Sequence, residues 1–300
     1  MWAVSGTSAK YLFQNGMTPL ELVQLRVTLG VLFLAVWLSL RHRSLLRIAW
    51  TDLPYFMALG IFGLAMVNCT YMLAIAKIKV AAAILLEYLA PVFIALYALL
   101  YLRERLKPMT AAAILSAVIG CYLMVGGYNL DLLSLNREGV LFGLASAMAF
   151  AWYTVFGERG MRRYPPWTVL FYSIMAAALF WNVAHLLWTG FPRPFESLLR
   201  PYSTFQWLLI LYVVVFGTMV PFGLYLDGVN LIRSTRASVT ATLEPITAGV
   251  ISYLFLGESL EAFQLLGGAL VIGSIILLQI RKEYDNATPA LIRSRATQTP

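Results

Sequence analysis

Two acidic residues, Glu87 and Glu244, lie inside long apolar stretches of the chain. An ionised carboxylate deep in an apolar medium costs several kcal/mol unless it is paired or faces water. Each of these residues could therefore bind the ammonium group of a small molecule or hold a transferable proton. The alternative for each is a structural ion pair or a hydrogen bond between two helices.

A basic residue, Arg26, also lies within an apolar stretch. Its depth in that stretch is similar to the depth of Glu87, so a pair between the two is geometrically possible. Arg26 is therefore a third candidate for contact with a ligand. The alternative is a long side chain that reaches the polar edge of the apolar layer.

Polar and aromatic side chains supply further candidates. Asn68 and Tyr71 are three residues apart, which places them on one face of a helix. Tyr225, Trp152 and Tyr153 also fall in apolar stretches. Aromatic walls with a few polar tips suit an amphipathic or cationic ligand. The alternative is core packing or a belt of aromatic residues at the edge of the apolar layer.

Two prolines, Pro91 and Pro245, stand near the middle of apolar stretches. Proline removes one backbone donor and clashes with the carbonyl one turn earlier, which kinks a helix. In lipid, the freed carbonyl is tolerated where it faces protein or a water-filled cavity. The sequence therefore predicts a kink at each proline, which either lines a binding site or serves packing alone.

The composition indicates that helices in lipid position these residues. Of the 300 residues, 60% are hydrophobic and 12% are charged, whereas soluble domains average about 25% charged residues. Nine segments are apolar on all sides and long enough to span a bilayer. Their approximate bounds are 20–40, 53–76, 80–102, 109–127, 139–157, 167–189, 205–229, 237–256 and 262–280. Residues 2–13 form part of a tenth span, which we expect to be short or truncated.

The basic residues predict the orientation of these spans. Of the 22 Lys and Arg residues, 15 fall after spans 2, 4, 6 and 8 or in the tail, 5 fall in the other connections, and Lys10 and Arg26 lie within spans. Cytoplasmic connections are enriched in Lys and Arg. We therefore expect both termini to be cytoplasmic. The net charge of +8 follows from this topology and does not indicate a nucleic-acid partner.

An internal repeat divides the chain into two halves. Shifting the sequence by 154 residues aligns spans 3 and 4 with spans 8 and 9 without a gap. The matched pairs include Phe62 with Phe216, Gly63 with Gly217, Tyr71 with Tyr225, Pro91 with Pro245 and Glu104 with Glu258. Each half holds five spans, and because five is odd, the second half is inverted relative to the first. Inverted repeats are typical of secondary transporters. We place the halves at 1–130 and 138–281, followed by a disordered cytoplasmic tail at 282–300.

The same repeated segments resemble a known family. The stretches AAAILLEYLAPVFIALYALLYLRERL at 81–106 and ASVTATLEPITAGVISYLFLGESL at 237–260 are similar to the signature of the EamA-type family of the drug/metabolite transporter superfamily. The opening WAVSGTSAKYLF, followed by Arg26, is similar to the start of that family. The resemblance implies ten helices, cytoplasmic termini and a central cavity lined mainly by helices 3, 4, 8 and 9. Relatives often export amino acids or other small metabolites.

These observations lead to one prediction and two alternatives. We predict an all-α, polytopic protein of the cytoplasmic membrane that moves a small molecule by alternating access, as a monomer or a weak homodimer. Coupling to protons or another ion is left open. The alternatives are a flippase for lipid-linked substrates and a non-transporting membrane receptor. The sequence contains no HExxH, GxSxG or P-loop motif, so we expect no catalytic residues, no metal and no cofactor.

Overall fold

The computed structural model describes residues 1–101, 108–124, 126, 128–189, 201–232 and 243–285. Within these ranges the regular secondary structure is helical, with ten longer helices and two short 3-10 helices at Arg43–Leu46 and Trp50–Asp52. The ten longer helices follow one another along the chain. They are α1 (Trp2–Gln14), α2 (Pro19–Arg41), α3 (Leu53–Ala58, Leu59–Ala65 and Met66–Lys77 in continuous succession), α4 (Val80–Glu87 and Ala90–Tyr101), α5 (Pro108–Met124), α6 (Leu130–Met161), α7 (Pro166–Thr189), α8 (Thr204–Val214, Val215–Met219 and Val220–Ile232), α9 (Leu243–Leu256) and α10 (Ala262–Asp285).

Five of these helices are long and apolar enough to cross a membrane, namely α2, α3, α6, α7 and α8. Shorter apolar stretches of 10–17 residues lie in α4, α5, α9 and α10. Helix α1 has 13 residues and is therefore about 20 Å long, as short as the sequence predicts. The arrangement is that of a polytopic all-α membrane protein.

Local sequence signals determine where two of the long helices begin. Thr18 precedes α2 and accepts a hydrogen bond from the backbone N–H of Glu21 at 3.3 Å, while the Glu21 carboxylate accepts one from the N–H of Thr18 at 2.7 Å. Ser203 and Gln206 form the same reciprocal pair at the start of α8. Both pairs satisfy backbone donors that a helix start leaves without partners.

Helix α4 is interrupted where the sequence predicts a kink. Its first piece ends at Glu87, Tyr88 and Leu89 form a turn, and the second piece begins at Ala90. Pro91 is the second residue of that piece. It has no N–H to donate to the carbonyl of Glu87, four residues earlier, so the regular hydrogen-bond ladder cannot continue through this point. Pro245 is buried in α9, two residues after the described part of that helix begins.

Helices α3 and α8 each contain a π-helical segment, at Leu59–Ala65 and Val215–Met219. The segment in α8 lies 154 residues after 61–65, so the two occupy matching positions in the sequence repeat. Each packs closely on the other half of the chain. A Cβ atom at Gly63 would lie 3.0 Å from the Tyr153 ring of α6, and one at Gly217 would lie 2.1 Å from Oγ of Ser5 in α1.

Glycines also allow close helix contacts elsewhere. A Cβ at Gly120 of α5 would lie 2.7 Å from the carbonyl oxygen of Gly267 in α10. Gly139 and Gly143 of α6 face Ile78 and Leu86 at similarly short distances. These contacts join helices within one chain. The largest buried apolar cluster surrounds the first piece of α4, with contributions from α3, α6, α9 and α10.

Helix ends differ from the apolar bounds predicted from sequence. Helix α6 begins at Leu130, well before 139, and α10 continues to Asp285, past 280. Hydropathy marks only the part of a helix that suits lipid, whereas backbone hydrogen bonds continue into polar sequence. The predicted disordered tail lies, from residue 286 on, outside the described residues.

Candidate functional site

Glu87 is the last residue of the first piece of α4, directly before the turn at Tyr88 and Leu89. Its carboxylate accepts a short hydrogen bond from Oγ of Ser146, a fully buried residue of α6. Glu87 is surrounded by helices but keeps part of its surface accessible. The interruption of α4 therefore leaves a half-buried carboxylate at the end of a helical piece inside the helix bundle.

Glu244 approaches the same region from α9. Its Oε2 accepts a hydrogen bond from the hydroxyl of Tyr88 at 2.9 Å. Like Glu87, it lies deep among the helices yet is only half-buried, whereas the neighbouring Pro245 is buried. The Tyr88–Glu244 bond thus joins the first sequence half to the second between α4 and α9.

Arg26 of α2 lies buried, with 4% of its surface exposed. Its Nε donates a short hydrogen bond to Oγ1 of Thr218, and its Nη2 donates to the carbonyl of Gly217 at 2.8 Å. The guanidinium group is therefore anchored on the π-helical segment of α8. The direct pair with Glu87 that sequence made geometrically possible is not formed. Arg26 interacts electrostatically with Glu87 and Glu244 through space.

Tyr71 of α3 completes this group of charges. It interacts electrostatically with Arg26, Glu87 and Glu244. Its hydroxyl lies 3.1 Å from the place that a Cβ atom would take at Gly6, so α1 covers it closely. Four of the predicted site residues therefore come together between α2, α3, α4 and α9.

The other polar and aromatic candidates lie at varying distances from this group. Asn68 is buried and donates to the carbonyl of Leu64 in its own helix at 2.7 Å. Tyr225 packs against Trp2, with ring centroids 5.9 Å apart, and interacts electrostatically with Tyr88. It therefore borders the charged group from α8.

Trp152 and Tyr153 of α6 lie in different environments, because successive residues of a helix point in directions about 100° apart. Tyr153 is buried and packs against Phe222, with ring centroids 6.4 Å apart. Trp152 is 39% exposed and stacks on Phe156 at 3.9 Å. The structure does not bring Trp152 to the charged group.

Three residues of the site were missed from sequence, namely Tyr88, Ser146 and Thr218. Tyr88 could have been found, because it directly follows Glu87 in an interrupted helix. Ser146 and Thr218 carry no signal of their own, since single hydroxyl residues are common in apolar helices and usually bond to their own backbone. Among the described residues, no group of three or more His, Cys, Asp or Glu side chains could hold a metal ion.

The site thus brings two half-buried carboxylates and one buried guanidinium group near one another between helices of both halves. Such an arrangement can bind a small molecule that carries both signs of charge. Together with the apolar helices, such an arrangement is typical of a membrane transporter. The chain belongs to the EamA-like transporter family, which matches residues 1–126 and 137–280 and has a ten-helix fold.

Similar proteins agree with this assignment. The chain is 30% identical over 286 residues to an uncharacterized inner membrane transporter, YicL, of Salmonella typhimurium, covering 93% of this chain and 92% of that protein. It is 25% identical to the threonine/homoserine exporter RhtA of Escherichia coli K12, covering 72% of this chain and 68% of the exporter. A solved crystal structure with 21% identity shares the fold, at a TM-score of 0.62 over 93% of this chain and 95% of the other.

Proposed function

We propose that this transporter moves small amphipathic metabolites, with amino acids as the leading class, out of the cell by alternating access. The substrate would bind between Glu87, Glu244 and Arg26. Transport would leave the substrate chemically unchanged, with the energy supplied by an ion gradient or by the substrate's own gradient. Both termini would be cytoplasmic.

The hydrogen bond between Tyr88 and Glu244 is the observation that carries this proposal. It crosses from the first half to the second beside two half-buried carboxylates. A binding site at the contact between two halves is the arrangement that lets a carrier open to either side by rocking one half against the other. A substrate that replaces this contact would couple its own binding to that motion.

The charges of the site favour a zwitterion. An α-amino acid carries an ammonium group, which suits a carboxylate, and a carboxylate, which suits a guanidinium group. The likeness to a threonine/homoserine exporter over 72% of this chain supports the same class. The site would therefore satisfy both charges of the substrate away from bulk water.

Uptake of radiolabelled threonine and homoserine into proteoliposomes tests the proposal directly. We expect Glu87→Gln and Glu244→Gln each to lower the initial rate at least tenfold, because neither amide can offer a full negative charge to an ammonium group. Glu158→Gln is the matched control, since the Glu158 side chain is 46% exposed and pairs with Arg162 only at 4.0 Å. Wild-type rates in both site variants, with equal amounts of folded protein, would contradict a role for these carboxylates.

The substrate class needs a separate measurement. Cells that overproduce the protein should tolerate higher external concentrations of the amino acids it exports. A panel of amino acids, amines and short carboxylates then ranks the substrates before reconstitution. If the cells became resistant to hydrophobic amines but to no amino acid, the substrate would be a cation and the proposed zwitterion would be wrong.

A further inference from the structure

The π-helical segment of α8 is the part of the fold that holds Arg26. A π-helical turn is wider than an α-helical one and shifts backbone partners from the fourth to the fifth residue back. The hydroxyl of Thr218 follows this pattern, because it donates to the carbonyl of Val213, five residues earlier, at 3.1 Å. Its oxygen remains free to accept from Nε of Arg26, and the next carbonyl, of Gly217, accepts from Nη2.

The residues around this anchor pack closely. Thr218 is fully buried. Helix α1 lies directly against the segment, because a Cβ atom at Gly217 would overlap Oγ of Ser5. Arg26 therefore bonds to a backbone that is confined between α1 and α2.

The anchor uses two of the three guanidinium nitrogens. Among the described residues, the third nitrogen, Nη1, has no hydrogen-bond partner. Tyr71, Glu87 and Glu244 interact electrostatically with the guanidinium group as a whole. A buried guanidinium group with a free nitrogen can bind one further acceptor. A carboxylate of the substrate fits this requirement.

The matching segment in the first half shows that the fold itself does not need a charge here. The repeat places Leu64 at the position of Thr218. Around that segment, Asn68 donates to the carbonyl of Leu64, and the neutral indole of Trp181 in α7 donates to the carbonyl of Ala65 at 3.4 Å. A neutral donor thus suffices to satisfy the π-helical segment of α3, whereas α8 receives a buried cation.

From this asymmetry we propose that Thr218 is a positioning residue, which holds Arg26 so that Nη1 receives the carboxylate of the substrate. This inference rests on the proposed function and assigns the recognition of one substrate group to one half of the protein. Thr218 would not touch the substrate. It would set the orientation of the residue that does.

The test compares Thr218→Val, which keeps the shape and loses the acceptor, with Thr218→Ser, which keeps the hydroxyl. For threonine uptake we expect Thr218→Val to raise KM about tenfold with Vmax within about twofold, and Thr218→Ser to stay near wild type. Thr70→Val is the matched control, because Thr70 bonds only to the carbonyls of Met66 and Val67 in its own helix.

Threonine amide separates positioning from a general loss of structure. It keeps the ammonium group and lacks the carboxylate, so its competition with threonine should be weaker than that of threonine itself in the wild type and unchanged by Thr218→Val. An equal loss for both compounds would overturn the proposal, as would an unchanged KM for threonine in Thr218→Val.

A second measurement remains decisive if the wild type transports no amino acid, which would refute the proposed function. The melting temperatures of Thr218→Val, Arg26→Gln and the double variant form a thermodynamic cycle. A double variant that is no less stable than Arg26→Gln alone supports the anchor. Strictly additive losses overturn it.

Discussion

The ammonium group of Lys10 in α1 forms an ion pair with the carboxylate of Glu258, which follows α9, at an Nζ–Oε1 distance of 3.5 Å. The same ammonium group donates to the carbonyls of Ile75 and Ile78 at the end of α3, at 2.7 Å each. Glu258 in turn accepts from the backbone N–H of Val80, at the start of α4, at 2.8 Å. One ion pair therefore caps two helix ends and joins the two halves.

The neighbouring contacts reinforce this end of the bundle. Lys79 donates to the carbonyl of Ser259 at 2.5 Å and to Gln264 at 3.0 Å. Tyr128 donates to Glu261 at 2.6 Å, and this hydrogen bond raises the pKa of Tyr128 to about 12. Glu87 lies seven residues further along α4 from Val80, about 10 Å deeper. These contacts therefore hold the helix ends together above the charged site, at the end that sequence predicts to be periplasmic.

Alternating access requires this end to open, which predicts an effect of cross-linking. In a protein with Cys69→Ala and Cys121→Ala, cysteines at Lys79 and Ser259 should react with a short bifunctional thiol reagent. We expect transport to fall to background and to recover when a cleavable cross-link is reduced. Each single-cysteine variant, treated in the same way, controls for modification alone, and full transport by the cross-linked protein would contradict the motion.

The ion pair of Lys10 should matter more for stability than an exposed pair does. Its side chains are each 13% exposed, whereas those of Lys77 and Glu138 are 43% and 68% exposed. We expect Lys10→Met to cost on the order of 2 kcal/mol, because two carbonyls and a carboxylate lose their donor. Glu138→Gln should cost about 1 kcal/mol or less. Unfolding in detergent measures both, and equal losses would argue against the capping role.

Two glycines of α10 provide a matched test of its contact with α5. A Cβ at Gly267 would lie 2.6 Å from both the carbonyl oxygen of Gly120 and the N of Met124, whereas one at Gly273 would meet nothing within 4 Å. Gly267→Ala should therefore destabilise the protein clearly. Gly273→Ala should be neutral or stabilise it by up to about 1 kcal/mol, because alanine favours helix. Similar melting temperatures for both variants would contradict the close approach.

The membrane orientation can be checked with single cysteines at the two faces. In a background without Cys69 and Cys121, Ser44→Cys should not react with an impermeant thiol reagent added to intact cells, whereas Ser203→Cys should react. Both serines lie in connections between long helices. Rapid labelling at Ser44, with protection at Ser203, would reverse the predicted topology.

The hydrogen bond between Tyr88 and Glu244 should be needed for transport more than for folding. Tyr88→Phe removes the donor and keeps the ring, so the contact between α4 and α9 loses its directional component. We expect a transport rate several-fold lower with the melting temperature changed by only a few degrees. Tyr97→Phe, on the second piece of the same helix, is the control, since Tyr97 is exposed. Normal transport by Tyr88→Phe would remove the basis for coupling at this contact.

Much of the architecture could be predicted from composition and repetition. The predicted all-α membrane fold and the predicted family are confirmed. Both could be predicted because the length of the apolar segments and the repeated Pro–Glu spacing can be read directly in the sequence. The π-helical segments could not be predicted in this way. Residues 59–65 and 215–219 are as apolar as their surroundings, so hydropathy does not distinguish a π turn from an α turn there.

The site was accessible to prediction only in part. Glu87, Glu244 and Arg26 could be found from sequence because burying a charge is costly. Their roles in binding stay predictions that transport measurements test. Their partners could not be found, because the choice between Glu87 and Thr218 as the partner of Arg26 depends on how α2 packs against α8. Nor does the sequence show that α1 packs on the same segment of α8, through the close approach of Ser5 to Gly217, which are distant in sequence.

The π-helical segment of α8 binds the charged side chain of Arg26, whereas that of α3 binds the neutral side chain of Trp181. This difference affects how the transporter binds its substrate from each side of the membrane. Alternating access lets the two halves exchange conformations during the cycle. The side chains do not exchange: Arg26 remains bonded to α8, and Trp181 remains bonded to α3. The substrate would then meet a different arrangement of charges when it enters from each side of the membrane. A carrier whose two sides differ in this way should show unequal apparent affinities for the substrate in right-side-out and inside-out vesicles, even without a membrane potential.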